Sequence, residues 1–438
     1  MRNSVTDMKI KTLFNYFCKS KNTCIFFLAI PFLMINFAVD SKNKNLKLNG
    51  KNMQSKMKRM VLLMLVFGGM MNTTMAEDWM AQLDDNTYWT QVSIPGTHDS
   101  ATGEGWTGLG ILVGDLTGKT QDLNIAGQLA CGVRVFDLRP CVSGSELVIN
   151  HGILATKAKF ANTMRQLCQF VSNHPTEFVV VLMRHETDGD SNSDKWAGMI
   201  ADCLNSEDIQ PLLADYKRDL TVGELRGKVL LLSRDSYGSQ PVGAFITGWG
   251  HQADYVTANI KGVGRNIGTM YVQDYYEVMN QMTAKLNGIE KLLNFSTKNN
   301  VEQGVRHWVV CVNHASGYTQ SASADGNRDN AVKCNQKFID FLSVDTQAGP
   351  TGIVMMDFAG VNKSGSYDVK GLDLVNTIIN NNQRYSPVKK ADHTGISSQE
   401  RNLKEGLLHY DLLGRPMRSQ RRTAVLIDRQ KSIKRIGQ

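Results

Sequence analysis

The chain has 438 residues. This length exceeds one average domain and suits a barrel-sized catalytic unit of about 300 residues with extensions. Since 42% of the residues are hydrophobic and 21% are charged, the chain can bury a large core, which excludes a wholly disordered or fibrous protein. The net charge of +8 is typical of proteins that bind nucleic acids or anionic membranes, so its distribution along the chain matters.

The positive charge lies at the two ends of the chain. Residues 1–76 hold twelve Lys/Arg and two Asp/Glu, and residues 384–438 hold thirteen and five, which leaves residues 77–383 with a net charge of −10. An acidic body does not attract phosphate backbones through its overall charge, so any anion it binds must be met by a few placed cations. We therefore predict no nucleic-acid partner.

The basic start has the order of a secretory signal peptide. Lys58 and Arg59 precede the apolar residues 61–71, and a small-residue cleavage site ends at Ala76. This pattern predicts export to a secreted, periplasmic or cell-surface location, with a natural start at Met53 or Met57. A second apolar run, residues 24–39, leaves a membrane anchor as the alternative.

Six cysteines remain after residue 76: Cys131, Cys141, Cys168, Cys203, Cys311 and Cys334. An exported protein can form disulfides, and six cysteines allow fifteen pairings among which the sequence does not choose. Because no CxxC or Cys/His pair has the spacing of a zinc site, we predict no structural metal.

Short apolar runs alternate with helical patterns through the body of the chain. The predicted strands are residues 92–95, 133–138, 147–150, 178–183, 229–233, 270–273, 308–312 and 353–356. The predicted helices are residues 121–130, 157–173, 195–204, 279–293 and 330–342. Continuous apolar strands suit a parallel sheet covered on both faces. The pattern favours an α/β fold with an irregular TIM-type (β/α) barrel over an open doubly wound sheet.

The chain therefore divides into three predicted regions. Residues 1–76 form an upstream segment with the signal peptide, residues 77–383 the catalytic barrel, and residues 384–438 a basic linker and tail. The tail, from Tyr410 to Ile427, resembles a small C-terminal β module that some secreted bacterial proteins use for sorting, and a disordered basic extension is the alternative.

In such a barrel the chemistry sits at the carboxyl ends of the strands. Each apolar run of this sequence ends in a charged residue or a histidine, and the segments are SIPGTHDS, VFDLRP, INHG, LMRHE, LLSR, VQDYY and MMDF. His98 and His151 can act as base and acid, because imidazole takes either role at neutral pH. Asp99 and Asp357 can orient these imidazoles, and Arg139 offers a planar fork that fits two phosphate oxygens. Together they predict metal-free phosphodiester cleavage.

Residues 93–100, 136–140, 151–152, 272–276 and 352–358 resemble, in order, the motifs of the bacterial phosphatidylinositol-specific phospholipase C family, of the X-domain type. The resemblance spans residues 80–382, and five ordered matches are far more specific than any one of them. It implies a lipid-cleaving enzyme that releases diacylglycerol and inositol 1,2-cyclic phosphate.

The resemblance also implies a role for each matching residue. His98 is the general base that deprotonates the inositol 2-hydroxyl, and Asp357 holds it. His151 is the general acid, assisted by Asp99. Asp137 orients Arg139, which neutralises the phosphoryl oxygens. Four further residues match positions that hold the inositol ring: Arg184, Arg234, Asp274 and Tyr276. At the position of Arg184, well-known bacterial members have Lys.

The same resemblance predicts that no metal is used. The calcium-dependent animal relatives have Asn directly after the first histidine and an acidic residue at the second motif, where this chain has Asp99 and Arg139. A guanidinium cannot ligate Ca²⁺ and repels it, so Arg139 replaces the ion beside phosphorus.

Each of these residues also has a purely structural interpretation. The two histidines could be turn residues, Asp137 and Arg139 a plain ion pair, and the four ring-binding residues strand caps or solvated charges. His174, His185, His251, His307 and His314 carry no readable role, with His314 the strongest exception because it follows an apolar run.

A lipid substrate must be reached at a membrane surface. The apolar residues 103–116, just after His98, are expected on the rim of the site, where Trp106 could lie at the level of the headgroups; burial against the barrel is the alternative. Three functions remain: a secreted, monomeric phosphatidylinositol phospholipase C acting on phosphatidylinositol or a glycosylated inositol lipid, another two-histidine barrel phosphodiesterase, and a noncatalytic protein that binds inositol lipids.

Overall fold

The structure is a computed structural model that describes residues 77–238, 242–262, 265–298 and 308–391 and four short strands of the tail. The chain divides into a small unit, Met1–Trp79 with Leu129–Gly132, and a large unit, Met80–Gln128 with Val133–Gln438. In the small unit the Trp79 indole N–H donates a hydrogen bond to the Gly132 carbonyl, at 3.0 Å. The predicted signal peptide, with its cleavage site at Ala76, the alternative anchor at residues 24–39 and the starts at Met53 and Met57 lie outside the described residues.

The strands of the body are β1 Ile94–Thr97, β2 Val135–Leu138, β3 Pro140–Ser143, β4 Glu146–His151, β5 Leu154–Lys159, β6 Val179–Met183, β7 Leu213–Ala214, β8 Val229–Ser233, β9 Ala244–Thr247, β10 Val256–Gly262, β11 Arg265–Gln273, β12 Val310–His314 and β13 Ile353–Met356. The α-helices are α1 Gly110–Thr117, α2 Ile125–Ala130, α3 Phe160–Asn173, α4 Ser193–Leu204, α5 Val222–Leu225, α6 Met282–Ser296, α7 Ala324–Leu342 and α8 Gly371–Asn381. None of the helices in the described residues has both the length and the apolar character needed to cross a bilayer.

The large unit contains a closed barrel. Its strands follow the order β6-β2-β1-β13-β12-β11-β10-β9-β8, and β8 pairs back onto β6 to close the ring, while β7 adds to β8. Neighbouring strands are parallel except that β10 runs antiparallel to both β9 and β11. The prediction of an irregular TIM-type barrel is confirmed, and the β9–β10–β11 meander is the irregularity.

The continuous apolar runs explain why these strands are parallel and buried. Every residue of Val179–Met183 and Val229–Ser233 is buried, as expected where helices cover one face and the barrel interior the other. Helix α3 buries Phe160, Met164, Leu167 and Val171 along one stripe, which is the spacing of an amphipathic helix that packs on a sheet.

One predicted strand lies elsewhere. Residues 147–150 belong to β4, which forms a separate three-stranded antiparallel sheet with β3 and β5 instead of a barrel strand. The burial of β5 alternates along its length, as is typical of an antiparallel sheet with one solvated face. Because residues 157–159 belong to β5, the helix predicted from residue 157 begins only at Phe160.

The described cysteines include five free thiols: Cys141, Cys168, Cys203, Cys311 and Cys334. Burial raises the pKa of the Cys311 thiol to about 12, so this group stays protonated and unreactive at neutral pH. In the tail, His409–Tyr410 pairs with Pro416–Met417 and Val425–Ile427 pairs with Ile433–Arg435, each pair antiparallel.

Candidate active site

The strand register of the barrel brings the predicted catalytic residues together. Thr97 pairs with Met356 of β13 and with Phe136 of β2. The next residue of each strand is therefore His98, Asp357 or Asp137, and these three side chains emerge side by side at the carboxyl end of the barrel. The buried Gln121 amide fixes two of these strand ends, because its Nε2 donates to the carbonyls of His98 and Met356, both at 2.9 Å.

His98 lies between two carboxylates. Its Nδ1 is 2.9 Å from Asp357 Oδ1, and its Nε2 is 3.1 Å from Asp99 Oδ2. Since a carboxylate only accepts, Nδ1 carries a proton and donates to Asp357. Burial disfavours the charged form of the ring, but the negative charges of Asp99 and Asp357 outweigh burial and raise the pKa of His98 from 6.5 to about 9.

Asp99 is buried and has left-handed backbone dihedrals, φ 43° and ψ 54°, which Asp tolerates better than most residues. Its Oδ1 is 2.9 Å from Arg139 Nε. Arg139 in turn lies on Asp137, with Nη2 2.7 Å from Oδ2, and the Asp99 backbone N–H donates to that same oxygen at 3.1 Å. Burial disfavours both charges, but their mutual attraction outweighs it, so that the pKa of Asp137 is lowered and that of Arg139 is raised. Arg139 is therefore a fixed cation.

His151 approaches the same cluster from the separate antiparallel sheet. The Asn150 N–H donates to the Arg139 carbonyl at 3.0 Å, which ties the end of β4 to the end of β2. The His151 Nδ1 donates to the carbonyl of Gly118 at 2.7 Å, so its Nε2 is directed at Asp99 Oδ2, 3.4 Å away. The two imidazoles lie edge to face with ring centroids 6.5 Å apart, and both Nε2 atoms face one carboxylate oxygen.

The residues predicted to hold the ring line one cavity with the two histidines and Arg139. The cavity has a volume of about 270 Å³ and includes Arg184, Arg234, Asp274 and Tyr276. The strand register explains why three arginines lie together. Leu138 pairs with Met183, and Met183 pairs with Ser233. The residues that follow these three on adjacent strands are Arg139, Arg184 and Arg234. The structure thus gathers all ten predicted residues in one place, and their roles remain predictions.

Four residues in or beside the cavity have no predicted role: Glu186 and His251 line it, while His314 and Trp249 contact residues that line it. His314 ends β12 and is buried with its ring centroid 6.3 Å from that of His98; burial lowers its pKa to about 3, so it is neutral. Glu186 lies 3.7 Å from Arg139 Nη1, and burial raises its pKa. Trp249 donates its indole N–H to Asp274 Oδ2 at 2.8 Å, and His251 lines the cavity.

The signals for these residues differ. For His314, the sequence signal is its position after an apolar run. Glu186 is the last residue of the motif LMRHE, which ends a predicted strand. His251 lies in the loop after the short strand β9, which is not among the predicted strands. By contrast, His174 stacks on Phe170 and His185 on Trp196, as satisfied structural groups. His307 lies outside the described residues.

An apolar patch borders the cavity. Helix α1 leaves Ile111, Leu112 and Leu116 at least 70% exposed, and α1 ends at Thr117, which lines the cavity. Trp106 is buried instead of lying at headgroup level, because Gly110 and Gly114 pack on its ring and its indole N–H donates to Asp115 at 2.9 Å. Of the two alternatives for Trp106, burial is therefore the one observed, whereas its neighbours in the same segment are exposed.

Comparisons with known proteins agree with this geometry. Residues 92–235 match the family "Phosphatidylinositol-specific phospholipase C, X domain". A 1-phosphatidylinositol phosphodiesterase of Staphylococcus aureus (strain Newman) is 28% identical over 316 residues, which cover 70% of this chain and 94% of that protein.

Solved structures show the same fold. One structure of the Staphylococcus aureus phosphatidylinositol-specific phospholipase C has a TM-score of 0.57 at 21% identity and covers 70% of this chain and 97% of that one. The Listeria monocytogenes enzyme gives 0.52 at 22% identity, over 70% and 98%. Residues 92–235 thus resemble the X domain of phosphatidylinositol-specific phospholipase C, and the barrel and the ordered motifs of the chain agree with that match.

Proposed function

We propose that the protein is a phosphatidylinositol-specific phospholipase C that converts phosphatidylinositol to diacylglycerol and inositol 1,2-cyclic phosphate. The observation that carries the proposal is the convergence of two imidazole Nε2 atoms, from His98 and His151, on one Asp99 oxygen, with a fixed guanidinium 2.9 Å from the other oxygen of that carboxylate. In-line transfer at phosphorus requires a base, an acid and a cation in this proximity.

His98 is the general base. Asp357 fixes its Nδ1–H tautomer, so its Nε2 takes the proton from the inositol 2-hydroxyl as that oxygen forms a bond to phosphorus. Because nucleophile and leaving group belong to one molecule, the attack needs no second reactant to be bound. The raised pKa of about 9 makes His98 a strong base once it is deprotonated.

His151 is the general acid. Its Nδ1 is committed to the Gly118 carbonyl, so the proton delivered to the departing diacylglycerol oxygen comes from Nε2 as the phosphorus–oxygen bond breaks. Asp99, 3.4 Å away, stabilises the charged ring that donates this proton. The proton gained by His98 and the proton lost by His151 balance, so the site returns to its starting state after one proton exchange with solvent.

Arg139 supplies the cation beside phosphorus, and we propose that the reaction needs no metal. His98, Asp99 and Asp137 bring ligand atoms close enough together to hold an ion. However, the Arg139 guanidinium lies within 2.9 Å of Asp99 and 2.7 Å of Asp137, so it occupies the oxygens that Ca²⁺ would use.

The apolar patch favours a lipid over other diesters. Four side chains near the start and end of helix α1 are 56–76% exposed, and Ile153, two residues after the general acid, is 65% exposed. A membrane is the occupant we propose, because these side chains flank the catalytic cavity and carry no charge, so they insert into the boundary between headgroups and acyl chains. The protein acts there as a monomer.

We also propose that the chain is exported, with a mature protein that starts at Glu77. The support is the basic, apolar and small-residue order of residues 57–76. A location outside the cytoplasm would bring the enzyme to inositol lipids, including glycosylated ones, on a membrane surface.

Alanine at either histidine tests the chemistry. With residues 77–438, phosphatidylinositol vesicles and excess chelator, the wild type should release diacylglycerol and the cyclic phosphate, while His98→Ala and His151→Ala should each lose about 10²- to 10⁴-fold in rate. His174→Ala, which lies outside the cavity, is the control. Full activity in either variant contradicts the mechanism, a requirement for added Ca²⁺ contradicts the role of Arg139, and turnover of other diesters alone favours a different phosphodiesterase.

The pH dependence tests the electrostatics of the base. Below pH about 9 His98 is protonated in the free enzyme and cannot accept a proton, so kcat/KM should rise with pH until that value. Asp357→Asn removes one of the charges that raise this pKa, so the rising limb should move to lower pH as the maximum rate falls. The measurement is kcat/KM from pH 5 to 10 for both proteins. If kcat/KM of Asp357→Asn rises over the same pH range as that of the wild type, the assignment of His98 as the base is contradicted.

Polar substitutions on α1 test membrane contact. Ile111→Ser with Leu112→Ser should weaken binding to phosphatidylinositol vesicles by at least about tenfold, since burying each apolar side chain is worth about 1.5–3 kcal/mol, without lowering turnover of a soluble short-chain substrate. Val344→Ser is the matched control, because Val344 is 45% exposed and lies outside the cavity. Unchanged sedimentation of the double variant with vesicles rejects the patch as the membrane contact.

Sequencing the amino terminus of the natural product tests export. The protein should be recovered outside the cytoplasm beginning at Glu77. A product that retains residues 24–39 and fractionates with membranes contradicts cleavage and supports the anchor.

A further inference from the structure

His251 contacts three of the four residues assigned above to the inositol ring. Its Nδ1 is 3.0 Å from Asp274 Oδ2, and its Nε2 is 3.3 Å from Arg234 Nη2. Its ring meets the Tyr276 ring edge to face, at 5.0 Å between centroids and 85°. A side chain on a loop, outside every sequence motif, thus joins the ends of two barrel strands.

The contacts fix the protonation state of His251. A guanidinium has only N–H donors, so the Nε2 that faces Arg234 accepts and carries no proton. The proton is therefore on Nδ1, which donates to the Asp274 carbonyl at 3.3 Å and lies 3.0 Å from Oδ2 of the same residue. A neutral imidazole in this tautomer links a cation on one side to an anion on the other.

Trp249 supports the same pair of charges. Its indole N–H donates to Asp274 Oδ2 at 2.8 Å, and its ring lies 4.6 Å from the Arg234 guanidinium carbon. Both His251 and Trp249 lie at Oδ2, whereas Asp274 Oδ1 is 3.5 Å from His314 Nδ1. Arg234 is held on one face by the indole and at one N–H by the imidazole, so its remaining N–H groups have a fixed direction.

We propose that His251 is a positioning residue for the inositol headgroup: it sets the orientation of Arg234 and Asp274 relative to each other and thereby the affinity for the ring. The proposal rests on the proposed function. The His251 side chain is 38% exposed, so it contributes little to the core, and its polar contacts go to side chains and backbone of the headgroup site. Removing it should weaken ring binding without touching the phosphorus chemistry at His98 and His151.

Three substitutions separate the two contacts. In His251→Asn the amide can replace Nδ1 and keep the donor to Asp274, whereas in His251→Gln it can replace Nε2 and keep the acceptor for Arg234; His251→Leu loses both. KM and kcat on phosphatidylinositol vesicles are measured together with competitive inhibition by myo-inositol, which reports on ring binding without chemistry. His174→Leu is the control, and melting temperature reports on folding.

His251→Leu should raise both KM and the inhibition constant for myo-inositol about tenfold, as expected for lost hydrogen bonds to charged groups, while kcat changes less than about threefold. The Asn and Gln variants should fall between Leu and wild type. Values within twofold of wild type in all three variants overturn the inference, and so does a loss confined to kcat. If the wild type does not cleave phosphatidylinositol, the proposed function fails first, whereas a wild type that cleaves it beside an unaffected His251→Leu removes only this inference.

Discussion

The carboxylate of Asp99 is the interaction on which the rest of the site depends. Its two oxygens are approached by both imidazoles and by Arg139, at 2.9–3.4 Å. Yet both oxygens are buried and neither accepts a hydrogen bond of good geometry within the described residues. The pairing is therefore mainly Coulombic, and it is strong because a low local dielectric weakens the competition from water. A single buried carboxylate in a left-handed turn thus keeps both imidazoles and the guanidinium close together.

The barrel makes this cluster possible through strand register. Three parallel strands end at one level, so residues that are far apart in the sequence, such as His98 and Asp357, become neighbours without any long loop. His151, the proposed general acid, is brought in differently: β2 continues through Arg139 into a hairpin, and the hairpin returns His151 beside the end of β2. His98 thus lies on the barrel and His151 on an added sheet, and both contact Asp99.

These features also show what the sequence could reveal. The apolar runs identified the barrel, and the rule that chemistry follows strand ends found His98, Asp357 and the ring-binding residues, because that rule depends only on local sequence. His151 was found by its motif but placed on the wrong kind of sheet, since a four-residue apolar run does not distinguish a buried parallel strand from a half-buried antiparallel one. The role of His251 depends on contacts with the ends of two other strands, Arg234 and Asp274, which no local pattern encodes. Trp106 is buried by its own segment, where Gly110 and Gly114 leave room for its ring.

The raised pKa of His98 bears on its proposed role as a base. With a pKa of about 9, His98 is protonated in the free enzyme at neutral pH, although a base must be neutral. The charged ring is stabilised by Asp99 and Asp357, and only the Nδ1 contact with Asp357 is a hydrogen bond of good geometry. A phosphodiester bound among the cavity residues would lie near Arg139 and His151 as well, and its negative charge would favour the charged form of His98 further. In the proposed mechanism His98 therefore acts as a base only after it has lost this proton, and the pH at which it does so is set by the charges of Asp99 and Asp357.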